Sequence, residues 1–109
     1  MPFTALFIAH APDADPEKHR TVIDTGLYKL FTVIVRNQEQ ALQVAKQMVA
    51  AEGVQSVLLC PGHSHEDVGA ITAAVGNQVS VCVARGDPRS MSVSVTALKE
   101  AGWFASPRV

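Results

Sequence analysis

The chain has 109 residues, 48% apolar and only 17% charged, with 9 basic against 10 acidic side chains. One α/β domain over 1–109 is the expectation at this length, and so little charge on so small a body favours a homo-oligomer, dimer or larger. Balanced signs without a basic run exclude a nucleic-acid footprint, and no apolar run approaches the ~18 residues that a membrane span needs.

"MPFTALFIAH" lacks the basic start and cleavage motif of a signal peptide. The cysteines, Cys60 and Cys82, lie far apart in apolar, β-branched runs. They read as two small buried residues rather than a disulfide, in keeping with a reduced, cytoplasmic setting.

In chain order, "FTALFIA" (3–9) reads as a buried strand ending at His10. Asp15 as N-cap, Pro16 at the first helical position and Glu17 in the first turn predict a helix that Gly26 stops. "KLFTVIV" (29–35) is the second strand. Asn37 with Gln40 resembles a capping pair, and Ala41, Val44, Ala45, Met48 and Val49 recur at helical spacing until Gly53. "VQSVLLC" (54–60) is the third strand. Val68, Ile71 and Val75 mark another helix ended by Gly76, and "QVSVCVA" (78–84) is the fourth strand. The tail 88–109 opens with strand-like alternation and reads as a loop, then a short helix from about Val95 to Ala101.

Strands alternating with helices predict a four-stranded, mainly parallel sheet in flavodoxin-like order 2-1-3-4. A ferredoxin-like α+β arrangement is the alternative if the first connection is a loop rather than a crossover helix.

The stretches "ALFIAHAPDADPEKHR", "VRNQEQALQVAKQMVAAEGVQSVLLC" and "AITAAVGNQVSVCVARGD" resemble a family of short prokaryotic α/β proteins known only as uncharacterised. The resemblance implies a compact α/β domain and brings no activity. At the end of the third strand the family pattern has a cysteine, two glycines and an aromatic; here Pro61, Gly62 and His63 follow Cys60. His63 and His65 are therefore particular to this chain.

In a parallel sheet, ligands sit beyond the carboxyl ends of the strands. The expected order delivers His10, the stretch Cys60–His65, and Arg85 to Asp87 to one rim. The first reading is a site for a small anionic or carbonyl ligand, with or without catalysis. Cys60, Gly62, His63, Ser64, Arg85 and Asp87 would bind it and His10 or His63 would act as acid or base. The second takes His10, Cys60, His63 and His65 as ligands of a transition metal, without a standard ligand spacing. The third is structural: Ser64 and Asp67 form a capping box, Pro61-Gly62 is a turn, and the histidines are ordinary. His19 and Arg20 read as solvated, with Glu17 in reach of Arg20 at helical spacing, and Asp87-Pro88 reads as a turn opener. No P-loop, dinucleotide fingerprint, G-x-S-x-G elbow or C-x-x-C motif is present, so cofactor, substrate and reaction stay open. A non-enzymatic assembly module, using an uncovered edge strand and the tail around Trp103, is the competing function.

Overall fold

The computed structural model describes residues 1–104. Its strands are β1 (Phe3–His10), β2 (Arg20–Asp24), β3 (Tyr28–Val35), β4 (Ser56–Leu59) and β5 (Ser80–Val83); its helices are α1 (Gln38–Glu52), α2 (His65–Val75) and α3 (Pro88–Glu100). They build a five-stranded mixed sheet in the order β2-β3-β1-β4-β5. β3, β1, β4 and β5 run parallel, and β2 pairs antiparallel with β3 at the edge.

The four-stranded flavodoxin-like sheet is corrected at its first connection. Asp15 does start a helical turn, accepting Glu17 N–H at its side chain (3.0 Å) and the N–H groups of Lys18 and His19 at its carbonyl. Then Thr21, Val22 and Ile23 intervene, three β-branched residues in a row, which pack better on a pleated surface than in a helix. Arg20–Asp24 therefore pairs with Lys29–Val33. The turn between them has Gly26 at φ 98° and the Asp24 carboxylate accepting Gly26 N–H at 2.8 Å. Arg20 donates to the Pro16 carbonyl rather than to Glu17. With four parallel strands side by side, the ferredoxin-like alternative falls too.

The crossovers β3–α1–β4 and β4–α2–β5 step the same way across the sheet, so chain chirality puts α1 and α2 on one face. There Leu6, Ile8, Val33, Val35, Val57 and Leu59 meet Ala41, Val44, Ala45, Met48 and Ile71 in a single buried cluster. α1 is capped as its sequence predicts: Asn37 Oδ1 accepts Gln40 N–H at 2.9 Å, and Gly53 closes it at φ 67°. The other face stays partly open among the described residues. Phe3, Ile23 and Leu58 on that side are 50%, 58% and 40% exposed, and Cys82, expected to be buried, is exposed as well.

The tail also departs from expectation. It is a single helix from Pro88, with Asp87 at the N-cap and Pro88 at the first helical position. None of its residues is buried. Residues 105–109 lie outside the described residues. Among the described helices none is long and apolar enough to cross a membrane.

Candidate functional site

Because β1, β4 and β5 are parallel, His10, Cys60 and Arg85 all leave the same edge of the sheet. His10 is the last residue of β1. Cys60 follows β4 directly, its N–H donating to the Ile8 carbonyl at 3.1 Å, which fixes the two chain ends side by side. The turn Pro61-Gly62 then folds His63 back, its N–H donating to the Cys60 carbonyl at 3.3 Å. Ser64 caps α2: its side chain accepts Asp67 N–H, and Asp67 Oδ2 accepts Ser64 N–H, both at 3.1 Å. The capping box in the sequence is thus real, and it fixes where His63 points.

Three of the predicted residues converge. Cys60 Sγ lies 3.9 Å from His10 Nδ1 and 3.7 Å from His63 Nδ1. The two imidazole rings are 4.2 Å apart at 34°. One donor atom from each of His10, Cys60 and His63 falls within 4.8 Å of the other two. Gly62 floors the cluster. A Cβ there would sit 3.6 Å from both Cys60 Sγ and His10 Nδ1, an ordinary contact, so the glycine is not required by space.

His63 is buried at 7% exposure, and its Nε2 has no partner among the described residues. The environment separates the two histidines. Burial, and then the neighbouring charge of His63, hold His10 below the ordinary imidazole range, against a smaller pull from Asp67. Burial acts most strongly on Cys60 and would raise its thiol. The opposing hydrogen bonds from the His63 side chain and from main-chain groups of Gly62 and His10 together bring it below the ordinary value. His63 also feels burial first, but hydrogen bonds to Cys60 and the charges of Cys60 and Asp67 raise it above the ordinary imidazole. The pair leans toward thiolate and imidazolium.

The remaining candidates stand apart. His65 begins α2 exposed and is not in the converging group. Arg85 donates to Asp87 at 2.7 Å with its side chain 86% exposed, so neither is turned to Cys60. Their loop does reach the rim, since a Cβ on Gly86 would meet Pro61 Cβ at 3.4 Å and Met91 Sδ at 3.1 Å. The capping box occupies the Ser64 and Asp67 N–H groups, leaving less of the helix start for an anion. Two contributors went unseen in the sequence. Asp67, read only as a cap, supplies negative charge felt by both imidazoles. Gln38 donates to the Asp67 carbonyl at 3.1 Å and keeps its own Oε1 buried without a partner among the described residues; nothing in its helical spacing marked it. The apolar groove between β2 and α1, lined by Phe31, Val33 and Met48, shares no residue with the cluster.

The model of a family described as of unknown function, DUF6506, matches residues 3–97. The chain belongs to DUF6506. The match contains the whole cluster and most of α3, so the DUF6506 domain includes both the rim and the helix that leaves β5. No curated protein and no solved structure matches the chain.

Proposed function

We propose that this chain binds a transition-metal ion, of the zinc class, through His10, Cys60 and His63, with an open position for a small anionic or carbonyl ligand. The observation that carries it is the convergence of one thiol and two imidazoles at the ends of β1 and β4. Bond lengths of ~2.3 Å to sulfur and ~2.0 Å to nitrogen at a tetrahedral angle put S and N about 3.5 Å apart. The two Sγ–Nδ1 separations are 3.7 and 3.9 Å. Thiolate and imidazole suit zinc, copper and nickel, and three protein donors leave room for a ligand that the metal polarises.

Native mass spectrometry and zinc, nickel and copper titrations of the purified protein test it. One ion per chain is expected, lost in Cys60→Ser and weakened in His10→Ala and His63→Ala. A protein indifferent to all three ions overturns the metal reading. A second reading then takes over, favoured by the 3.7 Å approach of Cys60 Sγ to His63 Nδ1. It makes Cys60 an activated nucleophile for a carbonyl ligand, with His63 as its base.

A further inference from the structure

We infer that two copies of this chain join edge to edge through β2, which pairs antiparallel with its own copy and carries the sheet from one molecule into the next. β2 is the outermost strand, and all five of its residues are exposed. It carries none of the devices that blunt a free edge. It has no proline, its pairing with β3 runs from Arg20 to Asp24 without a bulge, and its middle is the β-branched run Thr21-Val22-Ile23.

The ladder with β3 shows which backbone groups face outward. Ile34 N–H donates to the His19 carbonyl and Thr25 N–H to the Tyr28 carbonyl, each at 2.9 Å, at the two ends of the β2–β3 register. Hydrogen-bonded pairs alternate along an antiparallel strand, so Thr21 and Ile23 also bond inward. Arg20, Val22 and Asp24 then turn their N–H and C=O groups to the open edge. A second β2 can meet those groups only with the same three residues of its own, which limits the register to steps of two.

One register satisfies charge and backbone together. With a two-fold axis at Val22, Arg20 lies opposite the second copy's Asp24, Asp24 opposite its Arg20, and Thr21 opposite its Ile23. Every outward N–H of one strand then meets an outward C=O of the other. Opposite charges face each other at both ends, which is a favourable cross-strand pairing. Both side chains are already held in place: Arg20 Nε donates to the Pro16 carbonyl at 2.6 Å, and Asp24 Oδ1 accepts Gly26 N–H at 2.8 Å. At the centre Val22, 47% exposed, meets its twin beside the apolar groove that it lines with Phe31 and Met48. A shift of two residues either way shortens the overlap and sets Arg20 or Asp24 against Val22 instead of its opposite charge. The strand "RTVID" is thus complementary to itself when reversed, and that selects a second copy of this chain over an unrelated strand. β3 separates the joint from β1 and β4, whose ends hold the cluster of His10, Cys60 and His63, so the association is independent of the metal reading.

Sedimentation velocity across protein concentration tests it on the full chain. Wild type is expected to be a dimer. Arg20→Glu and Asp24→Lys should each raise the dissociation constant about tenfold, because each sets like charges against one another at both ends of the joint. An equimolar mixture of the two should regain wild-type association, since every introduced charge then faces its opposite. Val22→Pro should give a monomer with an unchanged circular dichroism spectrum, because the N–H that it removes serves only the second copy. A wild type that stays monomeric at millimolar concentration overturns the inference, even if the edge accepts a strand of another protein. So does a dimer that Arg20→Glu leaves as tight as wild type, or a mixture that associates no better than its components. Should Val22→Pro or Asp24→Lys fail to fold, Val22→Lys sets two amines together at the two-fold axis and should give the same loss; an intact dimer there overturns the inference too.

Discussion

Cys60 stands between imidazoles of opposite disposition, His10 held below its ordinary range and His63 above it. In metal-free protein this arrangement has a readable consequence. The thiolate is the reacting species toward iodoacetamide, so a thiol lowered by its surroundings reacts at a lower pH than a free thiol. Alkylation of Cys60, followed by peptide mass spectrometry to separate it from exposed Cys82, should show a pH midpoint below the ordinary thiol value. Replacing His63 with Ala removes the largest of the contributions that together offset burial, so the midpoint should move up. A midpoint equal in both proteins would mean that His63 does not act on the sulfur. Stoichiometric zinc should protect Cys60 and leave Cys82 reactive. At this scale the sequence was partly legible: a cysteine and histidines at strand ends announced a site. Which histidine turns inward was not legible, because that depends on the Pro61-Gly62 turn and on the α2 cap rather than on spacing. The pairing of Arg85 with Asp87 was not legible either, since it depends on the course of the loop after β5.

The element that holds the site is α2, and it is lightly anchored. Its buried residue is Ile71, and its start depends on the reciprocal bonds of Ser64 and Asp67. Ser64→Ala should cost about 1 kcal/mol, as lost N-caps do, and should also loosen His63, the residue just before the cap. Ile71→Ala should cost about 2–5 kcal/mol, the range for deleting a fully buried branched side chain. Urea unfolding measures both; a Ser64→Ala protein with unchanged stability and unchanged metal affinity would show that the cap does not position His63. The elements that the sequence disclosed well, α1 and the parallel strands, are those whose period and caps agree. β2 was misread because a genuine helix-start signal at Asp15-Pro16 is followed by β-branched residues whose pairing with β3 outweighs it. α3 was shortened because Ser92, Val93, Ser94 and Val95 alternate like a strand, although Asp87-Pro88 is a sound helix opening.

For the whole molecule, the site acts through the central strands that it joins. A bound ion would tie the end of β1 to the turn after β4, two central strands, so its binding free energy should stabilise the entire domain. A ligand at a hundredfold excess over its Kd adds about 2.7 kcal/mol, which in a chain of this size raises the Tm by roughly 10–20 °C. Thermal unfolding with and without zinc, at one fixed protein concentration, is the measurement. Wild type should show the full rise and Cys60→Ser almost none. If Cys60→Ser kept the rise, the ion would be held elsewhere, and the convergence at the ends of β1 and β4 would need another explanation.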